Sequence, residues 1–118
     1  SPIKENLLSI TELAKLRQVT SETLRYYDRI GLITPDYVDP QTRYRYYSIR
    51  QYEKLGTIKE LRQLGMSIHD ITDYFSGRNL RKSHQLLLHQ LELLEEEIRK
   101  QQLLSEILRR KLHFLSEI

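Results

Sequence analysis

The chain has no cysteine. That absence excludes disulfides, thiolate metal sites and ordinary iron–sulfur ligation within these 118 residues, and it suits a reducing cytoplasm. No apolar run approaches the roughly 20 residues that a membrane span needs. The Ser1-Pro2 start, without an initiator Met, leads into charged residues and only a short apolar stretch, which is not the pattern of a signal peptide. A Gly-rich phosphate loop is missing, and no nucleophile stands beside a base, so the sequence supports neither an enzyme nor a cofactor. His84, His89 and His113 lack the spacing and carboxylate company of a metal site and read as solvated helix positions. Beyond Asn79 there is neither Gly nor Pro, which leaves nothing to break a helix.

What is present is a mixture of 39% apolar and 30% charged residues, the balance of a folded, soluble chain. Net charge is +3, a weak indication by itself, but its distribution is uneven. From Arg43 to Arg62 there are six basic residues (43, 45, 50, 54, 59, 62) against Glu53 and Glu60. This stretch, about a sixth of the sequence, thus carries a larger positive surplus than the chain as a whole.

Capping signals divide the first two thirds into short helices. Ser9-Ile10-Thr11-Glu12 has the spacing of a capping box and predicts a helix to about Leu16, with Leu13 and Leu16 inward. Gln18-Val19 then forms a turn, Thr20 or Ser21 caps a second helix, and Gly31 ends it. Two such helices joined by a short turn make a helix-turn-helix. On the second, Leu24, Tyr27 and Gly31 fall on one side, while Glu22, Arg25, Tyr26 and Arg29 fall largely on the other. From Ile33 to Ser48 the pattern becomes extended, with Tyr37-Val38, a turn at Asp39-Pro40-Gln41-Thr42, and alternating Arg and Tyr residues. Tyr44 and Tyr46 would share one face of this ribbon, with Arg43, Arg45 and Tyr47 on the other. A second capping box, Ser48 to Gln51, opens a helix to about Leu64 with Tyr52, Leu55, Ile58 and Leu61 inward. A fourth helix follows from Ser67-Ile68-His69-Asp70 to Ser76-Gly77.

The last 39 residues carry an apolar seam at Leu87, Leu91, Leu94, Ile98, Leu108, Leu112 and Leu115, with Gln101 and Ser105 completing the 4,3 alternation. A helix of that length spans roughly 58 Å at about 1.5 Å per residue and requires a partner helix along its stripe. Gln101 and Ser105 either fix the register or are a local break in packing. The expected fold is mainly α: a winged helix-turn-helix domain of four helices and a small β wing over residues 1–77, then a coiled-coil dimerisation helix over 78–118.

For double-stranded DNA the expected contacts are Ser21 and Thr23 in the first turn of the second helix, then Arg25 and Tyr26 on its outer face. Glu22 would read cytosine or merely favour the helix start. Tyr27 divides between contact and core, and Arg25 between phosphate and an internal pair with Asp28. In the wing, Arg43 and Arg45 would reach phosphate or the minor groove, while Tyr44 and Tyr46 divide between contact and packing. Lys59 and Arg62, one turn apart, would reach one phosphate backbone or pair with Glu60. Two functions stay open on these residues: a dimeric, sequence-specific DNA-binding regulator, or an interaction adaptor whose coil docks a protein partner.

Ser9-Ile10-Thr11-Glu12-Leu13-Ala14, Val19-Thr20, Thr23-Leu24-Arg25-Tyr26-Tyr27-Asp28, Ile30-Gly31-Leu32 and Pro35, with Arg43-Tyr44-Arg45-Tyr46-Tyr47, Leu61 and Leu64-Gly65, resemble the MerR family of transcriptional regulators. The wing is most similar to the drug-responsive branch. The resemblance implies a homodimer through an antiparallel coiled coil on a pseudo-palindromic operator within an overlong promoter spacer. It also implies activation by bending and untwisting that DNA for RNA polymerase, with a deformation cost that contributes to specificity. An effector-binding region usually follows the coil. Here the sequence reaches Ile118 still in helical pattern, so such a region was removed or the protein is a short member. The absence of Cys separates it from metal- and redox-sensing members.

Overall fold

A computed structural model describes residues 6–77 and 80–118. The expected boundary between 77 and 78 borders positions outside the described residues. In chain order the elements are β1 (Leu8–Ser9), α1 (Ile10–Arg17), α2 (Ser21–Arg29), β2 (Tyr37–Val38), β3 (Arg45–Tyr47), α3 (Ile49–Gln63), α4 (Ile68–Ser76) and α5 (Leu80–Ser116). The chain divides into two compact units, one ending at Phe75 and one beginning at Ser76. None of the helices described is long and apolar enough to cross a membrane.

Each helix start in the first unit has a local chemical cause. Ser9 caps α1 reciprocally: its backbone N–H donates to Glu12 Oε1 (2.8 Å) and its hydroxyl accepts from the Glu12 N–H (3.1 Å). The Ser9 backbone N–H holds the Glu12 carboxyl below its ordinary range. Thr20, the first of the two expected caps, accepts from the Thr23 N–H at 3.0 Å and opens α2. Ser48 and Gln51 repeat the reciprocal box at α3. Between α1 and α2 the chain reverses through Gln18 at φ 56°, a left-handed residue whose N–H closes the end of α1.

The sheet is antiparallel with order β1-β3-β2, so the expected ribbon gains a third strand. Leu8 faces Tyr47 and Ser9 faces Tyr46 across one ladder; Tyr37 faces Tyr46 and Val38 faces Arg45 across the other. Ser9 thus ends β1 and caps α1, which ties the wing to the helix-turn-helix.

The core of this unit gathers Leu13, Leu24, Leu32, Ile33, Tyr47, Leu55, Ile58, Met66 and Ile71, all essentially without solvent contact. Leu16 departs from expectation: it is 58% exposed. The buried arc of α1 is centred between Leu13 and Ala14, and Leu16 lies roughly 110° from that centre at 100° per residue. Arg17, one turn after Leu13, takes the inward place instead. Its guanidinium stacks 3.7 Å from the Tyr52 ring centroid, and its Nε donates to the Tyr52 carbonyl at 3.0 Å. Gly56 in α3 leaves the necessary space, since a Cβ there would stand 2.6 Å from the guanidinium. The Lys59 ammonium donates to the Arg17 carbonyl, placing positive charge at the carbonyl end of α1.

Tyr47 is fully buried, and its hydroxyl has no hydrogen-bond partner among the described residues. Burial pushes this phenol up, with the Asp28 carboxylate acting in the same direction. An orphaned buried hydroxyl is a net cost. Replacing Tyr47 by Phe is expected to retain the fold and raise stability by about 1 kcal/mol, seen as a higher urea midpoint at constant m-value. A drop of that size would show that the hydroxyl is bonded in solution.

In the second unit, α5 is one uninterrupted 37-residue helix with no buried residue. Its seam residues Leu87, Leu91, Leu94, Ile98, Leu108, Leu112 and Leu115 are between 38% and 66% exposed in the single chain.

Candidate nucleic-acid interface

α2 presents two chemically different faces. Leu24 and Tyr27 are buried beneath it, and burial raises the Tyr27 phenol above its ordinary range. Tyr27 therefore belongs to the core side of the two alternatives. Tyr26 is 41% exposed, with its ring 5.9 Å from Tyr27 and the Arg29 guanidinium 5.7 Å from its centroid. The ring is thus flanked by a second ring and a guanidinium while staying partly exposed.

At the start of α2, Ser21 is half-buried, and the Thr23 hydroxyl shares a 2.9 Å hydrogen bond with the Thr20 hydroxyl. Thr23 is thus oriented by the cap that starts the helix. Glu22 is exposed and accepts from Arg25 at 3.3 Å. Of the two roles open to Arg25, the internal pair with Asp28 is not formed; its partner is Glu22. The Asp28 carboxylate has a stronger claimant, Arg45 of β3, whose Nε lies 3.1 Å away. Both side chains are only partly exposed, so water screens the Arg45–Asp28 pair incompletely.

The wing is organised by Asp39, which is nearly buried and accepts from the N–H groups of Gln41 (2.8 Å) and Thr42 (3.1 Å). Arg43 follows at φ 65°, its N–H donating to the Asp39 carbonyl at 2.8 Å. This left-handed turn ends the alternation that placed Arg43 and Arg45 on one ribbon face. Arg43 stands exposed at the loop, whereas Arg45 lies in the strand and holds Asp28. Tyr44 is 65% exposed, and Tyr46 is half-buried with its ring 6.0 Å from Tyr37.

Lys59 and Arg62 do not form the expected pair of free cations, nor does either bridge to Glu60. Lys59 is held by the Arg17 carbonyl, while Arg62 donates to the Met66 carbonyl at 2.8 Å and so closes the end of α3. The groups left at least partly exposed on these elements are therefore Tyr26, Arg25 and Arg29 on α2 and Arg43 and Tyr44 on the wing. Arg45, through Asp28, is the side chain that joins the wing to α2. Sequence reasoning missed Asp28 as the anchor of Arg45, and Arg17 as the strut between α1 and α3. The available sign of the former was an acid beside three exposed basic and aromatic residues. No periodicity marked Arg17.

Similarity to known proteins bears on this arrangement. The multidrug-efflux transporter 1 regulator of Bacillus subtilis (strain 168) is 36% identical over 116 residues, covering 98% of this chain and 36% of that protein. Thus the chain spans about a third of that relative's length. The crystal structure of MtaN, the N-terminus of the Bacillus subtilis multidrug transporter activator, superposes with a TM-score of 0.68 at 25% identity, covering 89% of this chain and 97% of that one. The EcmrR–DNA complex in EcmrR-RPo, solved by cryo-EM, superposes with a TM-score of 0.64 at 30% identity, covering 93% of this chain and 39% of that one. The model of the MerR HTH family regulatory proteins matches residues 8–78, from β1 through the helix-turn-helix, wing and α4. Sequence, strand-to-helix capping and the wing agree, and the chain belongs to the MerR HTH family.

Proposed function

We propose that this protein is a dimeric, sequence-specific DNA-binding transcriptional regulator that acts on a pseudo-palindromic promoter operator by distorting the spacer DNA. The observation that carries the proposal is the joint outward display of Tyr26 and Arg25 on α2 with Arg43 and Tyr44 on the wing, in a fold whose relative EcmrR is solved on DNA. Residues 1–77 form the DNA-binding domain and 78–118 the dimerisation helix. Ser21 and Thr23 approach base edges, Tyr26 and Tyr44 lean on sugar and phosphate, and Arg25 and Arg43 neutralise phosphates. Tyr27, Tyr46, Lys59 and Arg62 hold the reading elements in place. The protein works in the cytoplasm without catalysing a reaction, and it meets RNA polymerase at the promoter.

Arg45 has a double role: Asp28 aligns it, and DNA phosphate competes for it. Arg45→Ala is expected to weaken binding to all duplexes by about tenfold and to lower the salt slope by about one unit. Unchanged affinity would remove Arg45 from the interface. Selection from a randomised duplex library tests the function itself. An enriched inverted repeat is the expected result; retention without any enriched sequence would leave only non-specific binding.

A further inference from the structure

Two side-chain contacts join the helix-turn-helix to the wing and to the helix that follows the wing, one toward each end of α2. Close to the end of α2, Asp28 receives the Arg45 Nε of β3 at 3.1 Å. Ahead of its start, Arg17, the last residue of α1, donates from Nε to the Tyr52 carbonyl of α3 at 3.0 Å, with its guanidinium over the Tyr52 ring. We propose that Arg17 is a positioning residue for DNA recognition: seated in the notch at Gly56, it fixes the pose of α2 relative to the wing and so governs operator affinity without touching DNA. The proposal rests on the DNA-binding reading above, and it adds a residue that none of the expected contacts includes.

The path of the chain gives this contact its reach. Gln18, directly after Arg17, takes the left-handed conformation that closes α1, and Thr20, three residues after Arg17, caps α2. On the other side, Tyr47 ends β3, Ser48 caps α3, and the Tyr52 N–H donates to the Ser48 carbonyl at 3.0 Å in the first turn. The Arg17–Tyr52 bond therefore ties the residue that leads into α2 to the turn that leads out of the wing. A shift of the last turn of α1 along α3 would carry the cap of α2 with it, and with the cap Ser21 and Thr23.

Core packing sets this pose less finely. Leu13, Leu24, Leu55 and Ile58 are buried, but the burial of apolar surface is non-directional: it holds helices together and tolerates small slides. Hydrogen bonds to carbonyls constrain both distance and angle. Arg17 takes part in two of them, donating to the Tyr52 carbonyl and accepting at its own carbonyl from the Lys59 ammonium. Tyr52 and Lys59 stand roughly 10 Å apart along α3 at about 1.5 Å per residue, so the end of α1 is held at two points rather than one. Positions fixed by such supporting bonds are what a precise binding surface requires.

The surface of α3 is matched to this one side chain. Gly56 lies between the two attachment points, and a Cβ there would stand 2.6 Å from Nη2 and 2.7 Å from Cζ of Arg17. The planar guanidinium can stack on the ring and donate from Nε at once, which a lysine ammonium cannot do.

The test compares specific with non-specific binding by the full-length protein at matched stability. The probes are the duplex most enriched by the unaltered protein from a randomised library and a scrambled duplex of the same length and composition. Arg17→Ala is expected to weaken binding to the enriched duplex by roughly tenfold, the effect of about one mismatched base pair. Affinity for the scrambled duplex and the salt slope are expected to stay unchanged, because no phosphate contact is lost. In the double variant Arg17→Ala/Gly56→Ala, alanine occupies the notch and favours the helix. Its urea midpoint is therefore expected to return toward that of the unaltered protein while the loss on the enriched duplex persists. Recovery of operator affinity together with the midpoint would overturn the proposal and leave Arg17 a strut for stability alone. Undiminished binding of Arg17→Ala to the enriched duplex would overturn it as well. So would equal losses on both duplexes with a lower salt slope, which would make Arg17 a phosphate contact. Failure of the unaltered protein to enrich any sequence is a distinct result, which would overturn the DNA-binding reading and this proposal with it.

Discussion

Ending the chain after Gly77 is expected to leave a folded monomer that binds its operator at least about 100-fold more weakly than the full-length protein. Among the described residues, every fully buried side chain, from Leu13 to Ile71, lies in the first unit, and α5 has none. The first unit therefore has a core of its own. What the truncation removes is the link between two reading heads. A second half-site bound within a dimer sees an effective concentration near millimolar, whereas a free monomer must be supplied from bulk solution. Sedimentation, circular dichroism and operator titration separate the possible outcomes. An equally tight fragment would refute the dimer, and an unfolded one would refute the domain boundary.

Leu24→Ala is expected to destabilise the protein by roughly 3 kcal/mol, within the range for large-to-small changes at enclosed sites. Leu24 has no solvent exposure and sits on the inner side of α2, beneath the helix that carries Tyr26. The cavity would be bounded by the same core that fixes the angle of that helix. Operator affinity should fall with it, and cooling should recover part of the loss by repopulating the folded state. Leu16→Ala is the control: it changes the same residue type on the adjacent helix at an exposed position, where an effect within about 0.5 kcal/mol is expected. Equal losses in denaturant melts would contradict the burial pattern of both helices.

The sequence was most legible where the cause is local. Both capping boxes lie three residues apart and appear as read, and Thr20 caps α2. The long helix follows from the loss of Gly and Pro, and its stripe from the 4,3 spacing. Illegible features depended on residues far apart in sequence. Arg45 finds Asp28 across 17 positions, Arg17 finds the Tyr52 carbonyl across 35, and Lys59 finds the Arg17 carbonyl across 42. Propensity carries no information about such meetings, so a free wing cation and a free α3 lysine were the natural expectations. β1 was missed because a two-residue strand has no period to detect. Arg43 was placed on the ribbon because strict alternation was extended one residue into a turn. Leu16 was placed inward because apolar spacing could not show that an arginine would occupy the next turn.

Gly56 gives α3 a particular place in the order of folding. A glycine in the middle of a helix costs about 1 kcal/mol relative to alanine, so α3 alone forms less readily than its length suggests. The deficit is offset when Arg17 comes to rest over the notch and reaches the Tyr52 carbonyl. Helix α3 thus gains its full stability only as α1 docks, and α1 delivers Arg17 only once its own last turn is formed. The supporting helix and the first helix of the reading motif consolidate together, which disfavours a half-assembled state that displays one without the other.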